Sequence, residues 1–199
     1  MKISFLASHG GSSARHIITE IRAKRLAGFE IGIVITNNKE TAIYPWCLEN
    51  NIQVLHISGK THASNEDEAI AEALLAANTD IIVLSGYMKK IGKPTLNAFK
   101  QRILNIHPAL LPKHGGHKMY GDFVHTAVIA AGDKISGATV HLVTEQYDTG
   151  PILLQHEVPV LEDDTVESLG QRVRAIEAEL YVNALKKWQE NNFSLESEA

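Results

Sequence analysis

Cysteine is all but missing from this chain: Cys47 stands alone, so neither an internal disulfide nor a multi-cysteine metal site can form. A single thiol suits a reducing compartment and is expected to be buried or inert. Long apolar runs are also missing. Stretches such as residues 81–84 fall far short of the about 20 residues that a bilayer crossing needs. Met1-Lys2 leads into a strand-like segment and not into a signal peptide with a cleavage site. Nor is there an excess of basic charge: 19 Lys+Arg against 23 Asp+Glu give a formal net charge of -4, which leaves no general field to hold nucleic acid. These absences point to a soluble, cytoplasmic protein with neither a nucleic-acid nor a membrane partner. No repeat, low-complexity tract or linker interrupts the 199 residues. A single domain over residues 1–190, with a frayed tail at 191–199, is the expectation.

What is present is ordinary for a globular chain, with 44% hydrophobic and 21% charged residues, so a sizeable core is available. Residues 2–7 form a short apolar run that breaks at Ser8-His9-Gly10-Gly11-Ser12-Ser13 and resumes with helical spacing at Ile17, Ile18, Ile21 and Leu26. That pattern reads strand, glycine loop, helix. Residues 30–36, 53–57, 81–85 and 102–106 are further strands, alternating with helical segments at 41–50, 66–77 and, after Lys93-Pro94, a short one. Alternation of this kind predicts a Rossmann-like α/β fold, a mostly parallel sheet with helices on both faces. A long loop from His107 to Gly121 follows, then a helix over 123–131. Two β-rich runs at 138–144 and 152–160 suggest an antiparallel hairpin, and Val166, Leu169, Val173, Ile176 and Leu180 mark a terminal helix that frays after Trp188.

Asn105 and His107 lie two apart at the end of a strand, where alternation points both to one face, and Pro108 keeps His107 extended. An amide donor and an imidazole can then act on one atom, at the carboxyl end of a parallel strand where ligands bind. A polar cap on a strand end is the other reading of this pair. Asp148 sits in the hairpin turn, either as an ordinary turn residue or as a carboxylate that orients His107 and, by favouring imidazolium, raises its pKa. The loop at Ser8–Ser13 offers backbone N–H groups and a helix N-terminus to a phosphate, although its pattern is neither Walker A nor GxGxxG. His114 and His117 have i, i+3 spacing, but no third ligand accompanies them, so no metal is expected. His125 and His141 read as packing or cleft-lining residues.

The stretch Ile103-Leu104-Asn105-Ile106-His107-Pro108-Ala109-Leu110-Leu111-Pro112-Lys113, followed by Tyr147-Asp148-Thr149-Gly150-Pro151-Ile152, resembles the formyltetrahydrofolate-dependent formyltransferase family, whose pattern is Asn-x-His-Pro-(Ser/Ala)-Leu-Leu-Pro with a later Asp-x-Gly. Transferases acting on methionyl-tRNA or on nucleotide sugars, and formyltetrahydrofolate deformylases, share this core. The branch acting on glycinamide ribonucleotide is nearer, because the resemblance runs from Lys2 to about Trp188. A deformylase is expected to carry a further regulatory domain and the tRNA enzyme a further C-terminal one, for which this length leaves no room.

The resemblance implies an enzyme that moves a formyl group from 10-formyltetrahydrofolate, its cosubstrate, to the glycinamide amine of N1-(5-phosphoribosyl)glycinamide in purine synthesis. Asn105, His107 and Asp148 are the implied catalytic residues. Gly10, Gly11, Ser12 and Ser13 match the loop that binds the ribonucleotide phosphate, with Ser13 in place of the usual asparagine and His9 in place of glycine. Glu177 matches an acidic residue on the substrate ribose. Met88, Lys89, Lys90 and Ile91, after Gly86-Tyr87, match the segment lining the pterin pocket, with Thr144, Tyr147, Asp148 and Asn105 on the folate as well. A nucleotide-side N-terminal half and a folate-side C-terminal half are implied, in a monomer or homodimer. Two alternatives stay open: formyl transfer to an amino sugar nucleotide, and a catalytically idle folate- or nucleotide-binding module.

Overall fold

A computed structural model describes residues 1–194. Its seven strands are ordered β3-β2-β1-β4-β5-β6-β7. These are β1 (Lys2–Ala7), β2 (Glu30–Thr36), β3 (Val54–His56), β4 (Ile81–Leu84), β5 (Ile103–His107), β6 (Ile135–Leu142) and β7 (Ile152–Pro159). By density of contacts the chain divides into a first unit, Met1–Leu104, and a second that begins at Asn105.

In the first unit β1 pairs in parallel with β2 and β4, β2 with β3, and β4 with the start of β5 through Ile82 opposite Ile103 and Val83 opposite Leu104. Ile3, Phe5, Leu6 and Ala7 of β1 have no exposed surface. A parallel strand covered on both faces is mostly apolar instead of alternating, which is why residues 2–7 read as an apolar run; buried Ser4 within it accepts from the Ile33 N–H. Helix α1 (Ser12–Arg22) buries Ala14, Ile17 and Ile18. It stops short of Leu26 because Ala23 caps it and Lys24 takes a left-handed conformation, φ 59°; Leu26 is buried all the same. Helix α2 (Ile43–Glu49) is likewise shorter than expected, since a turn at Asn38–Thr41 precedes it. One helix went unread: α3 (Gly59–His62), whose start is fixed by the Ser58 N–H donating to Thr61 Oγ1 at 2.9 Å, and which runs through a 3₁₀ turn at Ala63–Asn65 into α4 (Glu66–Ala76). Helix α5 (Lys93–Ala98) starts at Lys93-Pro94, as expected. Cys47 is buried, and burial pushes its thiol up to about 11, the inert form anticipated.

In the second unit β6 and β7 form the expected antiparallel hairpin, from Ile135 opposite Pro159 to Val140 opposite Leu154, with a register shift that sets His141 opposite Ile152. Strand β6 begins three residues before the expected start, because Ile135, Ser136 and Gly137 already pair with β7. Helix α6 (Asp122–Ala130) and the 25-residue helix α7 (Val166–Glu190) complete the unit. Thr165 caps α7 by accepting from the Ser168 N–H, and its buried stripe includes Leu169, Val173, Leu180, Tyr181 and Trp188. The helix runs to Glu190, two residues past Trp188, and the Phe193 ring meets the Trp188 ring edge-on at 5.3 Å. Residues 195–199 of the expected tail lie outside the described residues.

Candidate active site

Two groups of the singled-out residues can be located, one in each unit. In the first, Gly11 caps α1 with φ 61°, and a Cβ there would stand 2.7 Å from Ile43 Cδ1, so glycine alone fits without strain. Ser12 and Ser13 open the helix, Ser12 exposed and Ser13 buried. The Ala14 N–H donates to Ser85 Oγ at 3.0 Å, so of the first N–H groups of the helix this one is already taken. Ser8 ties the loop to the segment after β4: its N–H donates to the Gly86 carbonyl, and its Oγ accepts from the Met88 N–H at 2.8 Å. Met88, Lys89 and Lys90 are exposed there, and Ile91 is buried.

In the second unit, Asn105, His107 and Asp148 converge. Asp148 stands in the turn before β7 with φ 57°, a left-handed conformation that aspartate adopts more readily than most residues. Gly150 is required two residues on, since a Cβ would come within 1.8 Å of the Leu142 carbonyl oxygen. The turn is thereby pressed against the end of β6. Asp148 Oδ2 accepts from the Gly116 N–H at 2.9 Å and lies 3.4 Å from His107 Nδ1; Oδ1 lies 3.5 Å from His141 Nε2. His107 Nε2 meets the His114 carbonyl at 2.8 Å. A carbonyl only accepts, so Nε2 carries a proton, and Nδ1 is left to the carboxylate. Asn105 Nδ2 is 3.2 Å from His141 Nε2.

Burial raises the Asp148 pKa, but the His141 contact, the His107 charge and the Gly116 N–H together outweigh it and hold the carboxyl below its usual 3.8. For His107 the balance falls the other way. Burial lowers it, and although Asp148 and the His114 carbonyl both raise it, the net position is below the usual 6.5. Asp148 raises the His107 pKa, as expected, but burial sets the net direction: a ring with 4% side-chain exposure loses more hydration than one carboxylate returns. The result is a buried imidazole poised to exchange a proton, beside an ionised carboxylate and an amide donor.

Glu177, on α7, has its carboxyl pushed up to about 7 by burial, with Arg174 only partly offsetting. Fully buried Tyr181, one turn on, is hydrogen-bonded to the backbone of Ile106, between Asn105 and His107. Thr144 and Tyr147 are exposed; Thr144 Oγ1 donates to the Gln146 carbonyl at 3.0 Å, and the Tyr147 ring lies 5.9 Å from that of His117. His114 Nε2 pairs with Asp133 Oδ2 at 2.8 Å, and Lys113 Nζ with Oδ1 at 3.1 Å, so the residue whose carbonyl holds His107 is itself clamped. The contact of the His114 carbonyl with His107, and the Asp133 pairing behind it, carried no sequence signal, because a backbone acceptor leaves none. His141, read as a packing or cleft-lining residue, touches both Asn105 and Asp148.

The formyl transferase family model matches residues 1–185. The chloroplastic phosphoribosylglycinamide formyltransferase of Vigna unguiculata is 38% identical over 190 residues, 93% of this chain and 60% of that protein. Its counterpart in Arabidopsis thaliana is 37% identical over 205 residues, 98% of this chain and 70% of that protein. The chain thus spans 60% and 70% of the length of these relatives. Among solved structures, glycinamide ribonucleotide transformylase 1 from Symbiobacterium toebii superposes with a TM-score of 0.88 at 35% identity, covering 96% of this chain and 88% of that one. Phosphoribosylglycinamide formyltransferase from Bacillus halodurans does so with a TM-score of 0.86 at 32% identity, covering 96% and 97%. This chain belongs to the formyl transferase family.

Proposed function

We propose that the protein transfers the formyl group of 10-formyltetrahydrofolate to the glycinamide amine of N1-(5-phosphoribosyl)glycinamide, a step of purine synthesis. The convergence of Asn105, His107 and Asp148 carries this reading, and relatives named for the same reaction support it. The amine attacks the formyl carbon, and the carbonyl oxygen gains negative charge. An N–H of Asn105 Nδ2 stabilises that oxyanion, and one such donor supplies about 2.7–4 kcal/mol; His107, whose ring nitrogens face the His114 carbonyl and Asp148, adds to this through its charge when protonated. As the intermediate collapses, the bond from the formyl carbon to the folate N10 breaks. A proton leaves the new amide nitrogen and one reaches N10, with His107 or water as carrier and Asp148 holding the ring.

The ribonucleotide phosphate is assigned to the Gly10, Gly11, Ser12 and Ser13 loop, the ribose to Glu177, and the folate to Met88, Lys89, Lys90, Ile91, Asn105, Thr144, Tyr147 and Asp148. The family match over residues 1–185 supports a single catalytic domain of about this length. The protein is assigned to the cytoplasm, as a monomer or homodimer acting on small molecules; no described helix is long and apolar enough to cross a membrane. Formyl consumption with glycinamide ribonucleotide, with an amino sugar nucleotide, or with no acceptor tests the assignment. Transfer to the amino sugar alone, or to neither, refutes it.

A further inference from the structure

Past the last pair of the β1–β4 ladder, Leu6 opposite Leu84, the two segments stay joined although neither is a strand any longer. The Ser85 N–H donates to the Leu6 carbonyl at 2.8 Å, and the Ser8 N–H to the Gly86 carbonyl at 3.2 Å. Two hydroxyls then cross between them. The Met88 N–H donates to Ser8 Oγ at 2.8 Å, and the Ala14 N–H donates to Ser85 Oγ at 3.0 Å. Ser8 is 5% and Ser85 4% exposed, so both oxygens are held away from bulk water. The second link takes the place of a helix cap. Gly11, the N-cap of α1, has no side chain to offer, so the third N–H of that helix finds its acceptor on the segment after β4.

We propose that Ser8 and Ser85 are a crossed pair of positioning residues: Ser8, at the start of the phosphate loop, holds the folate segment, and Ser85, at the start of the folate segment, holds the phosphate loop. This rests on the formyl-transfer reading, which gives Gly10, Gly11, Ser12 and Ser13 to the phosphate and Met88, Lys89, Lys90 and Ile91 to the folate. Each serine acts through the backbone N–H that it accepts from. Loss of either oxygen is therefore felt by the ligand of the opposite segment, whereas a role in packing alone would touch both ligands alike or neither.

The variants Ser8→Ala and Ser85→Ala read this crossing. With wild type active, Ser8→Ala is expected to raise the KM for 10-formyltetrahydrofolate about three- to tenfold, the range of one net hydrogen bond, and to keep that for the ribonucleotide within about twofold. Ser85→Ala should do the reverse. In both, kcat should stay within about twofold, because the links hold backbone that binds and not a group at the reacting carbon. Thermal melts establish that each variant is folded; Ser8→Cys or Ser85→Cys, which keeps the volume and leaves only a weak acceptor, takes the place of an alanine variant that does not fold. Unchanged KM values, a rise on the side of the substituted serine, equal rises in both KM values, or a fall in kcat without a rise in KM overturns the proposal. Absence of transfer by wild type would instead remove the formyl-transfer reading, and the proposal with it.

Discussion

Replacing Asp148 by asparagine separates the charge of the site from its shape. Asparagine tolerates the left-handed backbone at φ 57°, and its Oδ1 can still accept from the Gly116 N–H, so turn and loop should persist. What disappears is a negative charge 3.4 Å from His107 Nδ1 and 3.5 Å from His141 Nε2. Where a carboxylate orients a catalytic imidazole through a tight hydrogen bond, this exchange costs about 10⁴-fold in kcat. The 3.4 Å separation here is looser than the about 2.7–2.9 Å of a charge-assisted hydrogen bond, so a loss of about 10²–10³-fold is expected. The sign of the pH effect follows from the competing influences on His107. Burial lowers its pKa, and Asp148 is the largest influence raising it, so the mutant ring titrates lower still, less imidazolium is present near neutrality, and an imidazolium-dependent optimum moves to acid. Stability should respond in the same sense. A histidine whose folded pKa lies below its unfolded value loses stability as pH falls below 6.5, and the mutant should lose more over that interval. The wild type has in addition the Asp148 contribution, present above 3.8 and lost as pH falls through the depressed folded value, which asparagine lacks. A pH–rate profile of formyl transfer and a histidine NMR titration, on both proteins, measure these effects. Near-normal kcat with an unshifted His107 would leave Asp148 as a turn residue and refute the reasoning.

The elements with a strong local pattern were legible in the sequence. Residues 2–7 and 30–36 are parallel strands whose bounds follow from apolar runs that end at Ser8-His9-Gly10 and at Asn37. Asn105 and His107 were legible because a strand period of two fixes their common face, whatever lies opposite. His141 was not, for a physical reason: seven of the eight residues of β6 are buried, so alternation cannot single out one side chain, and its partner lies 36 residues away. The His114 contribution was hidden differently, since any residue supplies a carbonyl and what matters is its φ of 53° and the Asp133 clamp. The upward influence of Asp148 on His107 was legible because a neighbouring charge can be inferred from a motif, whereas the depth of burial that outweighs it belongs to the packed chain.

Three further outcomes are expected. Ser13→Asn, which installs the family residue, should lower the KM for the ribonucleotide with little change in kcat, because the change acts at the phosphate and not at the reacting carbon; an unchanged KM would show that the helix N-terminus already suffices or that the loop does not hold phosphate. Asp133→Ala should release His114 and lower kcat about three- to tenfold at constant KM, short of the about 10²-fold cost of a 1 Å misplacement, and unaltered kcat would mean that the clamp does not position His107. Glu177→Gln should do opposite things to stability and binding. A half-buried carboxyl raised from 4.5 to about 7 favours its neutral form, so its contribution to stability is fully present below 4.5 and is lost as pH rises through about 7. Glutamine keeps the shape and stays neutral. The interval from 4.5 to about 7 bounds the gain at about 3 kcal/mol in mildly alkaline solution, or several degrees in Tm for a chain of this size, and no gain is expected at acid pH. If the charge is retained to bind the ribose, the same substitution should raise the KM for the ribonucleotide and leave that for the folate unchanged. Denaturant unfolding on either side of neutrality, together with both KM values, tests the pair of effects. A loss of stability that is equal at acid and alkaline pH would show that Glu177 is a structural hydrogen-bonding residue and not a charge held against the fold for its ligand.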